Sequence, residues 1–390
     1  MTISSIATHN KPFRHDYREK KSRHPMPAND IAALTCIPMR LPFHHWAPPP
    51  LFAGRPRDKI DSALVRLETV DGTVAWGESS CVEPRALTAI FETLIAPLAR
   101  GRDAGDETLL PDMQRTLHNL GRSGPVVHAL AGLDIALWDL RAKREGVPLY
   151  RLLGGKKRDR VRAYASLLQY YGDGARLDQV VSQALREGYT EIKLHERTAG
   201  ALSAARHAAG PGVPIMVDTN CAWTPDTAPA AIAEMAPYEP FWIEEPLWPP
   251  EDDRALAQLS RSCGIPLAVG ENAGSRYDLE RIIDGNAARY VQPSVIKMGL
   301  TAALHLSRRS AESQVVCAPQ VAFFGPGFLA CLHLIAAQQT EVSIERLYLE
   351  LAHTPYADTV PVDAGWVHVP ETPGLGADPE PGLAEGRFSH

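Results

Sequence analysis

Residues 190–220 read TEIKLHERTAGALSAARHAAGPGVPIMVDTN, and the architecture of the whole chain follows from this stretch. It opens and closes on short apolar runs, Thr190–His195 and Pro214–Asp218, with the length and composition of buried strands. The first run ends in Lys193 and His195, the second in Asp218. On either side, further runs occur at 161–166, 241–245, 266–271, 290–294, 315–319 and 342–346, a period of about 25 residues. Amphipathic stretches such as Ala255–Ser262 and Leu300–Ser313 separate them. Eight strands alternating with helices make this an α/β chain with a parallel (β/α) barrel of the TIM type. An open doubly wound sheet would carry a glycine-rich phosphate turn after its first strand, and the sequence has none.

Before residue 150 the rhythm differs. Leu64–Thr69 and Val74–Trp76 flank Asp71 and Gly72, a hairpin signal because glycine accepts a positive φ. Between Val126 and Lys143, residues Val127, Leu130, Leu133, Ala136, Leu137 and Leu140 fall at helical spacing, and Gly146 with Pro148 closes the helix. The segment Leu41–Pro50 is too proline-rich for a helix or a central strand and is expected to be an exposed loop. The resulting division is a flexible extension at 1–27, an α+β unit at 28–150, the barrel at 151–355, and a tail at 356–390 that returns to the first unit.

The chain of 390 residues has 40 Lys and Arg against 46 Asp and Glu, a net charge of −6, with no basic stripe for nucleic acid. No apolar run reaches the ~18 residues that would span a bilayer. The first 27 residues lack the apolar segment of a secretory leader. The six cysteines are scattered without a C-x-x-C pair and read as free thiols in a reducing cytoplasm. Nucleic-acid and membrane partners are thereby disfavoured.

In a parallel barrel the side chains at the C-terminal strand ends converge on one mouth, where chemistry takes place. The polar residues at those ends are Lys193 and His195, then Asp218, Glu244, Glu271, Ser294, Gln320 and Glu345. Three successive strands thus end in carboxylates, 26 and 27 residues apart. Such anions repel one another in a partly buried mouth unless a cation sits among them. Hard oxygen donors with no Cys or His favour Mg²⁺ over zinc. Glu245 points away from Glu244 along the strand and is expected to be structural. Lys193 and His195 share a strand face, can reach a substrate held on the metal, and include an imidazole that can remove a proton. Asn220 and Asn272 are candidates to bind substrate or orient ligands. His44, His45 and Trp46 are candidates to contact a polyhydroxylated substrate by hydrogen bonds and stacking, and Arg276 to pair with the distal carboxylate of a diacid.

The series Lys193-Leu-His195, Val217-Asp-Thr-Asn220, Ile243-Glu-Glu-Pro246 and Gly270-Glu-Asn272 resembles the enolase superfamily, in its mandelate racemase/muconate lactonizing enzyme branch. Ala131-Gly-Leu-Asp-Ile-Ala-Leu-Trp-Asp-Leu-Arg-Ala-Lys143 and Leu152-Leu-Gly-Gly155 add to the likeness. The resemblance implies a modified TIM barrel under an α+β cap built from 28–150 and the tail. It implies Mg²⁺ held by Asp218, Glu244 and Glu271, and abstraction of a proton α to a carboxylate to give a metal-stabilised enediolate. On the same resemblance His195 is the base, Lys193 lies on the substrate carboxylate, and Glu345 hydrogen-bonds a carboxylate oxygen. Two positions depart from the pattern. Mandelate racemase-like members carry Asp at strand six and His at strand seven, where this sequence has Ser294 and Gln320, neither of which ionises near pH 7. Both are retained as candidate substrate contacts. Two-base racemisation is weakened by their absence, and syn β-elimination of water from a sugar acid is expected, as in an acid-sugar dehydratase. The alternatives are a cycloisomerase, a racemase or epimerase, and a degenerate barrel serving as a binding module. A cytoplasmic homo-oligomer, up to an octamer, is also implied.

Overall fold

The computed structural model describes residues 27–384 apart from 53, 81, 82, 355 and 357–359, so the extension expected at 1–27 lies outside the described residues but for its last. Five strands come first. β1 (Ile31–His44), β4 (Lys59–Thr69) and β5 (Val74–Ser80) pair antiparallel in that order, and β2 (Leu51–Phe52) with β3 (Arg55–Pro56) forms a small ribbon in the crossover. The β4–β5 hairpin turns at Asp71-Gly72 as expected, with Gly72 at φ +84° and Asp71 Oδ1 accepting from Thr73 N at 3.0 Å. The loop expected from Leu41 is corrected, because β1 continues through Pro42 to His44. The carbonyl of Pro42 faces away from β4, accepting from Ala352 N at 2.8 Å, so the N–H it lacks would also lie off the β4 ladder. Pro38, four residues earlier, shares that side, and both prolines therefore leave the main ladder intact.

From Arg160 strands and helices alternate: β6 (Arg160–Leu167), β7 (Ile192–Leu194), β8 (Ile215–Asp218), β9 (Trp242–Glu244), β10 (Leu267–Val269), β11 (Tyr290–Val291), β12 (Val316–Cys317) and β13 (Ile344–Leu347). They lie in the spatial order β12-β11-β10-β9-β8-β7-β6-β13, all parallel. Among the described residues no ladder joins β12 to β13. The seam is spanned by Glu345, whose carboxylate accepts from Val321 N at 3.0 Å and Ser166 Oγ at 2.7 Å. β14 (Glu350–Leu351) adds to the free edge of β1, and β15 (Trp366–His368) runs antiparallel to β6.

The lumen has a solid floor. Tyr164, Met216, Trp242 and Ala268 form a buried cluster with Tyr290 against it. Each stands two residues before Ser166, Asp218, Glu244, Gly270 or Gln292, so strand alternation puts it one layer beneath those positions. Above, the cap is seated on the barrel. Its helix Pro125–Glu145 lies so close to β5 that a Cβ on Gly77 would come within 1.9 Å of Gly132 O, and one on Gly132 within 2.1 Å of Ser79 Oγ. Three buried acids fasten the parts together. Asp134 accepts from Thr301 N at 2.7 Å, and Asp139 accepts from Trp76 N and from Leu375 N of the tail, both at 2.8 Å. Glu78 accepts from Ser62 Oγ at 2.7 Å and from Gly327 N at 2.9 Å, where the N-terminus of helix Pro326–Ala337 favours a negative charge. Apolar contact between Met39, Leu41, Ile60 and Trp76 of the cap and Leu168, Phe324 and Leu347 of the barrel completes the joint. No helix among the described residues is long and apolar enough to cross a membrane.

Burial pushes Glu78 up to about 7 from an ordinary 4.5. A carboxyl raised on folding binds more protons folded than unfolded between its two pKa values, so stability falls as pH rises through that window. Glu78→Gln is therefore expected to flatten the decline in stability between about pH 4.5 and about pH 7, by up to about 1.4 kcal/mol for each pH unit crossed. Thermal melts across that range check it, and parallel curves for the two proteins would count against Glu78 as an ionisable clamp.

Candidate active site

Asp218 and Glu244 are register partners on β8 and β9, and Glu271 follows the end of β10 by two residues. One oxygen from each lies within 4.8 Å of the others. The side chains of Asp218 and Glu244 are 1% and 0% exposed and that of Glu271 25%, so the cluster opens on the Glu271 side. Each acid is held in place. Asp218 Oδ1 accepts from Asn220 N at 3.0 Å and Nδ2 at 2.7 Å, which leaves its buried Oδ2 without a hydrogen bond. Glu244 accepts from the Trp242 indole N–H at 3.0 Å on one oxygen and from Lys193 Nζ at 2.6 Å on the other. Lys297 Nζ donates to the Glu271 carboxylate at 3.1 Å and to its backbone oxygen at 3.0 Å. Glu245 is turned to the far side, as expected, and fixes the loop carrying Glu271 by accepting from Gly270 N and Asn272 N at 2.8 and 3.3 Å.

Lys193 lies at the centre, 3.2 Å from Asp218 Oδ2, 2.6 Å from Glu244 Oε1 and 3.0 Å from Glu345 Oε1. Burial alone would lower its pKa, but the charges of Glu244, Glu345 and Asp218 outweigh that and raise it well above the ordinary value. Among these acids its charged form is favoured. Burial pushes Asp218 up to about 6 and Glu244 up to about 7, against the opposing pull of Lys193. Burial also works against ionised Glu271, yet Lys297 and Lys193 hold it below the usual carboxylate value. Four carboxylates thus face two ammonium groups, and a dication would balance them. The donor set is all oxygen, and the buried Asp218 Oδ2 accepts no hydrogen bond and is met only by the Lys193 ion pair at 3.2 Å. These features fit Mg²⁺, which Asp218, Glu244 and Glu271 would hold.

His195 stands beside this cluster with 16% of its side chain exposed. Its Nδ1 lies 2.7 Å from the carbonyl of Leu167, an acceptor, so the neutral ring carries its proton there. The lone pair is left on Nε2, 3.4 Å from Asp218 Oδ2. Burial, and then the charge of Lys193, lowers the pKa of the ring. Neutral His195 can accept a proton at pH 7.

The other expected contacts fall in different places. Ser294 and Gln320 are buried beyond the ends of β11 and β12, four and five strands around from β7, and Ser294 Oγ has no hydrogen-bond partner. Asn220 is turned onto Asp218 and orients a ligand. His45 is buried against Tyr170, ring centroids 5.6 Å apart, and Trp46 packs on Tyr348 at 5.5 Å with the exposed His44 edge-on to it at 6.0 Å. These contacts seat the cap crossover on the barrel. Arg276 stacks on Tyr277 and pairs with Glu280 at 3.6 Å, on the outer helix. Strand-end reading missed Ser166 and Trp242, which hold Glu345 and Glu244. Trp242 was accessible to it, being two residues before Glu244 on the same face.

A parallel barrel with three strand-end carboxylates, a Lys-x-His strand beside them and an α+β cap defines an enzyme of the enolase type. The chain belongs to the mandelate racemase/muconate lactonizing enzyme family: residues 43–154 match its N-terminal domain and residues 176–383 the enolase C-terminal domain-like family. It is 28% identical over 343 residues to the D-galactonate dehydratase of Ralstonia pickettii (strain 12J), covering 81% of this chain and 88% of that protein. It is likewise 28% identical over 365 residues to the D-galactarolactone cycloisomerase of Agrobacterium fabrum (strain C58), covering 88% and 96%. Among solved structures, a racemase from Streptomyces coelicolor A3(2) with bound magnesium is similar at a TM-score of 0.79 and 25% identity, covering 89% of this chain and 96% of that one.

Trp242→Phe keeps a ring in the lumen floor but removes the indole N–H from Glu244. It is expected to weaken Mg²⁺ binding about 10-fold or more, measured by calorimetric titration. Asp218→Asn is expected to abolish any Mg²⁺-dependent rise in melting temperature. Wild-type affinity in Trp242→Phe would remove this indole from the metal's support.

Proposed function

We propose that the protein is a Mg²⁺-dependent acid-sugar dehydratase that works from one face of its substrate, with His195 as its sole acid–base group. The observation that carries this reading is the tautomer of His195, set by Leu167 O, beside the acidic cluster, with Ser294 and Gln320, neither of them a base, buried beyond the ends of β11 and β12. The similarity to a D-galactonate dehydratase supports the substrate class.

His195 Nε2 takes the proton α to the substrate carboxylate, and the C–H electron pair moves into that carboxylate. Lys193, an ammonium group near the reacting atoms, stabilises the charge that develops there. A bound divalent cation supplies further electrostatic stabilisation of the same oxygens. The electron pair then returns to form the Cα–Cβ double bond as the Cβ–O bond breaks. The departing hydroxyl takes the proton from protonated His195 and leaves as water, and the enol product tautomerises to a 2-keto-3-deoxy acid. Proton removal and proton delivery by one ring require both groups on one face, which makes the elimination syn. A cycloisomerisation of a sugar-acid lactone would use the same single ring, and the similarity to a D-galactarolactone cycloisomerase favours it as the second reading.

His195→Asn is expected to lower turnover and α-proton exchange by at least about 1,000-fold while Mg²⁺ binding persists. Proton NMR in D₂O with a panel of sugar acids reads exchange and product together. Full exchange in the variant would overturn the assignment, and an isomerised lactone product with no keto acid would favour the second reading. Because the ring titrates below its ordinary 6.5, kcat/KM is expected to rise to a plateau with an acid limb below that pH.

A further inference from the structure

The crossover between β1 and β4 is fastened over the mouth. His45 packs on Tyr170 with ring centroids 5.6 Å apart, Tyr171 donates its hydroxyl to Pro49 O at 3.1 Å, and Trp46 packs on Tyr348. Tyr170 and Tyr171 follow the C-terminal end of β6, so these contacts hold the crossover at the end of the barrel that carries the acidic cluster. Its returning arm is fixed as well, with Arg57 N donating to Pro50 O at 2.8 Å and Phe43 N to Asp58 O at 3.0 Å.

This arm carries Arg55, exposed on β3, and the partly buried Arg57. The Arg57 guanidinium lies 4.9 Å from the ring of Phe52, and among the described residues it forms no ion pair or side-chain hydrogen bond. The acids whose charges reach it are Glu271, Asp61 and Glu345. All three are already engaged: Glu271 by Lys297 at 3.1 Å, Asp61 by Arg40 at 3.2 Å, and Glu345 by Lys193 at 3.0 Å. A partly buried guanidinium set against a ring, on a crossover held at the mouth end of the barrel and without an ion pair among the described residues, is a receptor for an anion. The substrate carboxylate that reacts is placed low, where its α-carbon meets His195 and its oxygens meet Lys193. Arg57 comes from the cap crossover and not from the strand that carries His195 and Lys193, and on the proposed reaction it meets the other end of the molecule.

We infer that Arg57 pairs with a second, distal carboxylate, so that the enzyme takes sugar diacids (aldarates) in preference to the monoacids (aldonates). The inference rests on the proposed reaction for the placement of the proximal carboxylate. A terminal hydroxymethyl group offers no charge to the guanidinium, so one charge-assisted, two-point contact is expected to separate the classes by about 10- to 100-fold.

Binding is measured by calorimetry on Mg²⁺-loaded His195→Asn protein, which holds ligand without turnover, using six-carbon aldarates each matched with the aldonate of the same configuration. The aldarate is expected to bind about 10- to 100-fold more tightly. Adding Arg57→Met is expected to erase that preference by weakening the aldarate, and Arg57→Lys to restore part of it. Equal binding of the two classes, a preference for aldonates, or Arg57→Met weakening both classes alike would overturn the inference, the last by assigning Arg57 to the proximal carboxylate. Exchange assays on the protein with His195 intact separate the two proposals. Exchange with aldonates alone overturns the role of Arg57 and leaves that of His195, whereas aldarate binding without exchange of any substrate does the reverse.

Discussion

Mutual repulsion among four clustered carboxylates is the constraint on which the rest of this structure turns. Asp218, Glu244, Glu271 and Glu345 lie at one end of one barrel, and three of them have essentially no exposure to water. Each is ionised only at an electrostatic cost that nearby donors must offset. The indole of Trp242, the amide of Asn220, the ammonium groups of Lys193 and Lys297, and the Ser166 hydroxyl all serve that end. What they leave over is the charge of a dication. The aromatic floor one layer below keeps water out and the donors fixed, which makes the residual charge effective.

The cap uses buried acids differently. Glu78, Asp134 and Asp139 meet backbone N–H groups and act as fasteners between cap, barrel and tail. Their strength depends on close approach, which the bare faces of Gly77 and Gly132 permit. The Gly-Leu-Asp-Ile-Ala-Leu-Trp-Asp run of the cap helix is therefore a seating surface, and its two acids are one reason the cap sits where it does over the mouth.

Much of this was legible in the sequence. Eight apolar runs at a steady period specified the barrel, and the acid at the end of three of them specified the cluster, because strand alternation and parallel register both act locally. The hairpin at Asp71-Gly72 and the helix from Pro125 were legible for the same reason. What escaped depended on partners distant in sequence. The prolines of Leu41–Pro50 argued against a strand until the edge that Pro42 faces was known. Asn220 looked free for substrate because nothing in its neighbours says that it folds back onto Asp218. The seam between β12 and β13 leaves no trace in periodicity, and Arg57 sits in a crossover whose direction is set by contacts with Tyr170, Tyr171 and Tyr348.

The seam itself carries a further meaning. A ring of eight strands is ordinarily completed by backbone, which is indifferent to side-chain identity. Here the last link, from Val321 N to Glu345, is a side chain that also neutralises Lys193. Mechanical closure of the cylinder and electrical completion of its contents thus share a single carboxylate. A change at that position alters shape and charge at once, so the short, ordinary-looking eighth strand cannot lose its one acid without both the seam and the Lys193 cluster feeling it.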